Sequence, residues 1–202
     1  VAVQSIIKSL GNYLFSQLPE ISNKSIDTER TINLIESAMI QANLAVKDIV
    51  PGGGTTASIL LLIGQTAFVG HVGDSRVYVL ESENLIQITK DHSLVQKLYD
   101  LGEISDESFS DHPRRNILMR ALGQEDKLVV DVIKRDVIQG TSFLLCTDGL
   151  WGSVSDVEII RIISNTDSTK EACEFLIDAA NKAGGPDNIT ALIVKYRHED
   201  DK

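Results

Sequence analysis

Cysteine, histidine, tryptophan and positive charge are all scarce in this 202-residue sequence, and each scarcity excludes something. Two cysteines, Cys146 and Cys173, stand in no metal-ligand spacing. They cannot form the framework of a disulfide-stapled domain or a structural zinc site, and two such thiols suit a reducing compartment, so a cytoplasmic protein is expected. Cys146 ends the apolar run Ser142-Phe143-Leu144-Leu145-Cys146 and reads as a small buried hydrophobe. No apolar run approaches the ~20 residues of a membrane-spanning helix, so no membrane partner is expected. Lys and Arg number 19 against 29 Asp and Glu, a formal net charge of -10. That lacks the basic footprint with which proteins displace counterions from nucleic acid, and no nucleic-acid partner is expected. The acidic excess has two readings, a solubilising surface and a cluster of carboxylates gathered to hold divalent cations.

Hydrophobic residues make up 43% of the chain and charged residues 24%, ordinary for a globular protein long enough to bury a core. Val3, Ile6, Ile7, Leu10, Leu14 and Leu18 recur at helical steps, so a first amphipathic helix is predicted, closed by Pro19. Asp27 precedes a second of about twenty residues through Ile32, Ile35, Met39, Ala42 and Val46. After Pro51-Gly52-Gly53-Gly54 the texture turns to short β-branched runs: Thr55 to Ile63, Thr66 to Val72, Arg76 to Leu80 and Leu85 to Thr89. Gly64-Gln65 and Glu83-Asn84 are the predicted turns, and four strands joined by tight turns imply antiparallel pairing. A helix from Ser93 to Leu101 ends at Gly102. Further strands are predicted at Leu128 to Arg135, Ser142 to Cys146 and Ile189 to Tyr196. Helices follow Ser155, with Glu158 at the capping-box position, and Thr169; His198 to Lys202 reads as a polar tail. Grouped strands and grouped helices without a βαβ rhythm indicate an α+β sandwich, helices outside antiparallel sheets, in one domain over residues 1–202.

Three segments place an aspartate at a strand end or strand start: Gly73-Asp74-Ser75-Arg76, Cys146-Thr147-Asp148-Gly149 and Pro186-Asp187-Asn188. A carboxylate behind Leu144-Leu145-Cys146-Thr147 is costly to bury without a partner. The partner is either a set of turn N–H groups or a cation. Three such aspartates in a histidine-poor chain favour the cation, and all-oxygen donors suit Mg2+ or Mn2+ rather than zinc. Gly53-Gly54-Thr55-Thr56 lacks the GK[ST] of a nucleotide-binding loop and reads as a tight strand entry.

Six stretches in order carry a resemblance: Gly53-Gly54-Thr55-Thr56-Ala57, His71-Val72-Gly73-Asp74-Ser75-Arg76, Ile88-Thr89-Lys90-Asp91-His92-Ser93, Arg120-Ala121-Leu122-Gly123, Leu144 to Trp151, and Gly185-Pro186-Asp187-Asn188-Ile189-Thr190. Together they resemble the metal-dependent protein phosphatases (PPM, type 2C), in particular the bacterial members. The resemblance implies a four-layer αββα sandwich and two to three Mn2+ or Mg2+ ions in the complete protein. It further implies hydrolysis of phosphoserine or phosphothreonine by a metal-activated water, with no protein nucleophile and so no catalytic side chain. By similarity Asp148 and Asp187 hold one ion, and Asp74 with Asp148 another. Residues 91–123 correspond to a flap beside the cleft, and Arg76, His92 and Arg114 are candidates for meeting the substrate. The implied partners are phosphoproteins, including a serine/threonine kinase and its targets, and a monomer is expected.

The family pattern has two strands before the first helix, ending in an Asp-Gly-x-Gly-Gly turn whose aspartate bridges both catalytic ions. Val1-Ala2-Val3-Gln4 resembles the sequence just after that turn, so an N-terminally incomplete domain is expected. A non-catalytic phosphatase-like binding or regulatory module is the alternative.

Overall fold

The computed structural model describes residues 1–21, 27–105, 108–109, 112–124 and 126–197; the tail expected from His198 lies outside them. By their internal contacts the residues fall into two units, one of residues 1–73 and 118–136, the other of residues 74–117 and 137–202.

The first unit is two helices over a three-stranded sheet. Helix α1 spans Ala2–Ile21 and α2 spans Thr28–Ile49. The Asp27 carboxylate caps α2 by accepting the Arg30 amide at 3.0 Å, satisfying one of the donors a helix start leaves unpaired. Pro19 does not close α1, which continues two residues past it. Strands β1 (Ala57–Ile63), β2 (Thr66–Val72) and β5 (Asp131–Asp136) form an antiparallel sheet with β2 in the centre. Gly64 takes a positive φ of 56° in the predicted β1–β2 turn. The apolar stripes of both helices meet the sheet in one core that includes Ile6, Leu10, Ile35, Met39, Phe68 and Leu122. Gly70 is where α2 comes closest: a Cβ there would lie 2.4 Å from Ile35 Cγ2. The glycine-rich entry is a backbone cradle, since Thr55 exchanges two hydrogen bonds with Leu122 and a Cβ on Gly54 would meet the Gln124 side chain.

The second unit has a four-stranded antiparallel sheet in the order β4-β3-β6-β7. Its strands are β3 (Arg76–Glu81), β4 (Asn84–Gln87), β6 (Ser142–Cys146) and β7 (Ala191–Lys195). Its helices are α3 (Leu94–Asp100), the single turn α4 (Asp148–Trp151), α5 (Asp156–Ser164) and α6 (Thr169–Lys182). Leu144, Leu150, Ile159, Ile163 and Leu176 centre its core, and Cys146 is buried there, its thiol pushed up to about 12 by burial. The cap of α6 is Ser168 rather than Thr169. Ser155 accepts the Glu158 amide, but the capping box is only half made, because the Glu158 carboxylate grips Arg161 one turn on.

The antiparallel sheets with flanking helices are the α+β class that the strand and helix grouping indicates, and three local expectations change. β2 and β3 are consecutive yet do not pair, because Gly73 turns the chain at φ 116° and β3 enters the other sheet. The β3–β4 turn is Ser82-Glu83, one residue earlier than expected, both at positive φ as a two-residue hairpin requires. Past Gln87 the strand stops, and the Thr89 hydroxyl accepts the Val77 amide where a ladder carbonyl would have been. Because the Gly70 site has no room for a side chain, Gly70→Val is expected to cost about 1–3 kcal/mol of stability by urea unfolding.

Candidate active site

The site is built at one end of the second sheet. β6 and β7 pair down to Cys146 and Ala191. Thr147 then carries the pairing into the loops: its amide donates to the Thr190 carbonyl at 3.2 Å. Its hydroxyl donates to the Asn188 carbonyl and accepts the Thr190 amide, both at 3.0 Å. Asp148 follows Thr147 at the start of α4, and Asp187 precedes Asn188, so one threonine joins the two aspartate-bearing loops. Gly149 lets them close, since a Cβ there would lie 2.5 Å from the Asn188 carbonyl oxygen. Each aspartate accepts one turn amide through Oδ1, Asp148 from Gly149 at 2.9 Å and Asp187 from Asn188 at 2.7 Å.

Asp74 joins them from the start of β3, its backbone carbonyl accepting the Trp151 indole N–H at 3.1 Å. All three aspartates line one cavity of about 330 Å³, together with Asp156, Arg76, Arg115, Asn116, Phe109 and Trp151. The carboxylates repel one another. Burial first, then the Asp148 and Asp91 charges, raise Asp74 to about 6, against the pull of its own amide and of Arg76. Burial followed by Asp187 also raises Asp148, opposed by the Gly149 amide and by Arg115. Such a cluster is what a cation would relieve, and its oxygen-only donors suit Mg2+ or Mn2+. The repulsions run in pairs, Asp187 on Asp148 and Asp148 on Asp74. Among the described residues no three His, Cys, Asp or Glu side chains are gathered closely enough to hold an ion by themselves.

The other sequence candidates fall in different places. Arg76 lines the cavity, but its guanidinium is bound to Asp91 and Tyr78. His92 is buried beside the α3 cap and is not among the cavity-lining residues. Arg114 is exposed, its amide donating to His112 Nδ1, and its neighbour Arg115 lines the cavity in its stead. Asp156 is masked in the sequence by the helix-start pattern after Ser155. Phe109 sits in a polar stretch with no periodicity to flag it; the structure sets it edge-on to Tyr99 at 5.7 Å.

A family model described as protein phosphatase 2C matches residues 8–98. The serine/threonine phosphatase stp of Listeria monocytogenes serotype 4b is 34% identical over 197 residues, covering 96% of this chain and 78% of that protein. The chain belongs to the protein phosphatase 2C family. The stp of Listeria welshimeri is 42% identical over 144 residues, and this match spans 71% of the chain and 57% of the length of that relative. Among solved structures, the serine/threonine phosphatase PstP/Ppp of Mycobacterium tuberculosis superposes with a TM-score of 0.83 at 32% identity, covering 98% of this chain and 82% of that one. The catalytic domain of PstP in complex with two manganese ions superposes at 0.77 and 31% identity, covering 96% and 79%. These family members share the fold from α1 to β7.

Two outcomes follow from this geometry. Gly149→Ala forces the Asp148 and Asp187 loops apart and is expected to weaken Mn2+ binding about tenfold by calorimetry, a fraction of an ångström at a ligand pair being enough. Asp74 favours its proton in the folded state, so the stability it contributes is present below its unfolded value of about 3.8 and lost as pH rises through about 6. Asp74→Asn is therefore expected to raise the melting temperature of the metal-free protein by about 2 °C or more at pH 7 and to leave it unchanged at pH 4.

Proposed function

We propose that the protein carrying this chain is a metal-dependent phosphatase that removes phosphate from serine and threonine side chains of proteins. The observation that carries the reading is the set of mutually repelling aspartates, Asp74, Asp148 and Asp187, on one cavity wall. Membership of a family whose relatives are named serine/threonine phosphatases supports it.

Asp148 and Asp187 would hold one Mn2+ or Mg2+ ion and Asp74 with Asp148 another, giving two to three ions in the complete protein. When bound, paired ions lower the pKa of water and clamp the attacking and leaving oxygens of an in-line displacement. The chain's own residues do the rest. The carboxylates serve to hold the ions rather than to carry protons. Arg115, opposite Asp148, takes the substrate-facing role expected of Arg114 and draws the phosphoryl group in by charge. Phe109 and Trp151 wall the cavity with rings that restrict water. Residues 91–123 are read as the flap, and residues 1–202 as a single phosphatase-like domain. Phosphoproteins, among them a serine/threonine kinase and its targets, are the partners on this reading. The two free cysteines, one of them buried, support a reducing cytoplasm.

The pairing of carboxylates, with no closed group of three among the described residues, favours a second reading, a non-catalytic module that binds phosphoproteins. Hydrolysis of a phosphothreonine peptide by the full-length protein with Mn2+ separates the two. Asp148→Asn is expected to lower kcat at least ~100-fold, several kcal/mol of lost ion-borne stabilisation; unchanged activity would sink the metal-site assignment. With acidic side chains gathered only in pairs among the described residues, residues 1–202 by themselves are expected to bind Mn2+ weakly and hydrolyse little.

A further inference from the structure

Arg76 takes part in an arrangement that the phosphatase reading leaves unused. Its Nε donates to both oxygens of Asp91 at 3.0 and 3.1 Å, and Nη2 donates to Oδ2 at 2.8 Å. Nη1 donates to the Tyr78 hydroxyl at 3.0 Å. The Asp91 side chain is 1% exposed and that of Arg76 is 14% exposed. Gln87 Nε2 donates to Asp91 Oδ1 at 3.2 Å and to the Thr89 carbonyl at 2.8 Å, bracing the acceptor from the side. The guanidinium lies flat against Trp151, its carbon 3.5 Å from the ring centroid.

A buried arginine held in a two-pronged carboxylate grip cannot swing toward a ligand without stranding Asp91, a buried carboxylate. Its remaining face is given to the indole. The indole is thereby fixed in plane, and its edge N–H is aimed at the Asp74 carbonyl at 3.1 Å. Trp151 is also in the same helical turn as Asp148. One ring therefore touches the backbone of one cavity aspartate and is covalently tied, three residues along, to another. Those two carboxylates repel each other, and the indole N–H holds the Asp74 backbone against that repulsion.

We infer that Asp91, Arg76 and Trp151 form a positioning stack that holds Asp74 at its distance from Asp148, so that the pair is set for a divalent cation before one binds. This rests on the reading of Asp74 and Asp148 as cation ligands. Arg76 and Trp151 are on this account positioning residues and touch no reacting atom. Preorganisation of this kind lowers the cost of gathering like charges at the moment of binding.

The test is calorimetric titration of the full-length protein with Mn2+ alone, beside its metal-free melting curve. Trp151→Phe keeps an aromatic side chain beside Arg76 and removes the indole N–H together with its five-membered ring. It is expected to weaken the weakest Mn2+ site about fivefold, the scale of one net hydrogen bond, while the metal-free protein still melts cooperatively, within several degrees of wild type. Arg76→Lys keeps the charge but loses the fork, and is expected to weaken the same site at least as much. Affinity within twofold of wild type in both variants overturns the inference and leaves the phosphatase reading standing. Wild type that binds no Mn2+ overturns that reading, and the inference with it.

Should Trp151→Phe fail to fold, wild type gives the same answer through its fluorescence, because Trp151 is the only tryptophan in the sequence. Mg2+, which is not paramagnetic, is expected to shift Trp151 emission saturably, and Asp74→Asn to abolish the shift. Emission that stays flat to saturation overturns the inference.

Discussion

Like charge held close is the constraint around which the second unit is arranged. Asp148 is raised by burial and then by Asp187, and Asp74 by burial and then by Asp148. Left to itself the group would open. What keeps it closed is ordinary secondary structure: the β6–β7 ladder, continued by both the backbone and the hydroxyl of Thr147, sets the two loops side by side. Gly149 removes the one Cβ that would keep them apart. The charges are thus forced together by strand pairing, whose free energy is spread over the whole sheet.

The balance explains why the cavity contains so little that is free to move. Each of the three aspartates is tied through the backbone: Asp148 and Asp187 accept neighbouring turn amides, and the Asp74 carbonyl accepts an indole. Two arginines offset four aspartates on the cavity wall, and one of the two is already bound to Asp91. The net negative potential is therefore an attribute of the folded chain itself. A cation entering the cavity finds oxygen donors already on one wall and does not have to gather them.

Much of this was legible beforehand, because it depends on local pattern. Helical spacing of apolar residues and short β-branched runs locate the helices and strands, and aspartates at a strand end or strand start single out Asp74, Asp148 and Asp187. What the sequence hid depends on long-range closure. Nothing local says that β2 and β3, three residues apart, enter different sheets. Nor does anything local tell Arg115 from Arg114; only the turn at 113–116 decides which side chain reaches the cavity. Arg76 is visible in the sequence as a candidate for meeting the substrate, but its partner Asp91 lies fifteen positions away across a hairpin. Proline 19 shows the opposite error, a strong local signal overridden where the helix had already gathered enough hydrogen bonds.

The change of sheet at Gly73 has a consequence for how the chain reaches this state. The first unit takes residues 1–73 and 118–136, the second 74–117 and 137–202, so the backbone passes between them three times. Neither unit is a continuous stretch of chain. β2 waits for β5, about sixty residues downstream, and β3 waits for β6 at a similar distance. Loop-closure entropy must be met before those pairings contribute, which is the signature of slow, high-contact-order folding. During synthesis the α1–α2 pair and the β1–β2 hairpin emerge with one side of the sheet open until residue 136 is available. The interleaving also means that no single cut divides the protein into two self-sufficient parts: the two units share one folding event even though each has a core of its own.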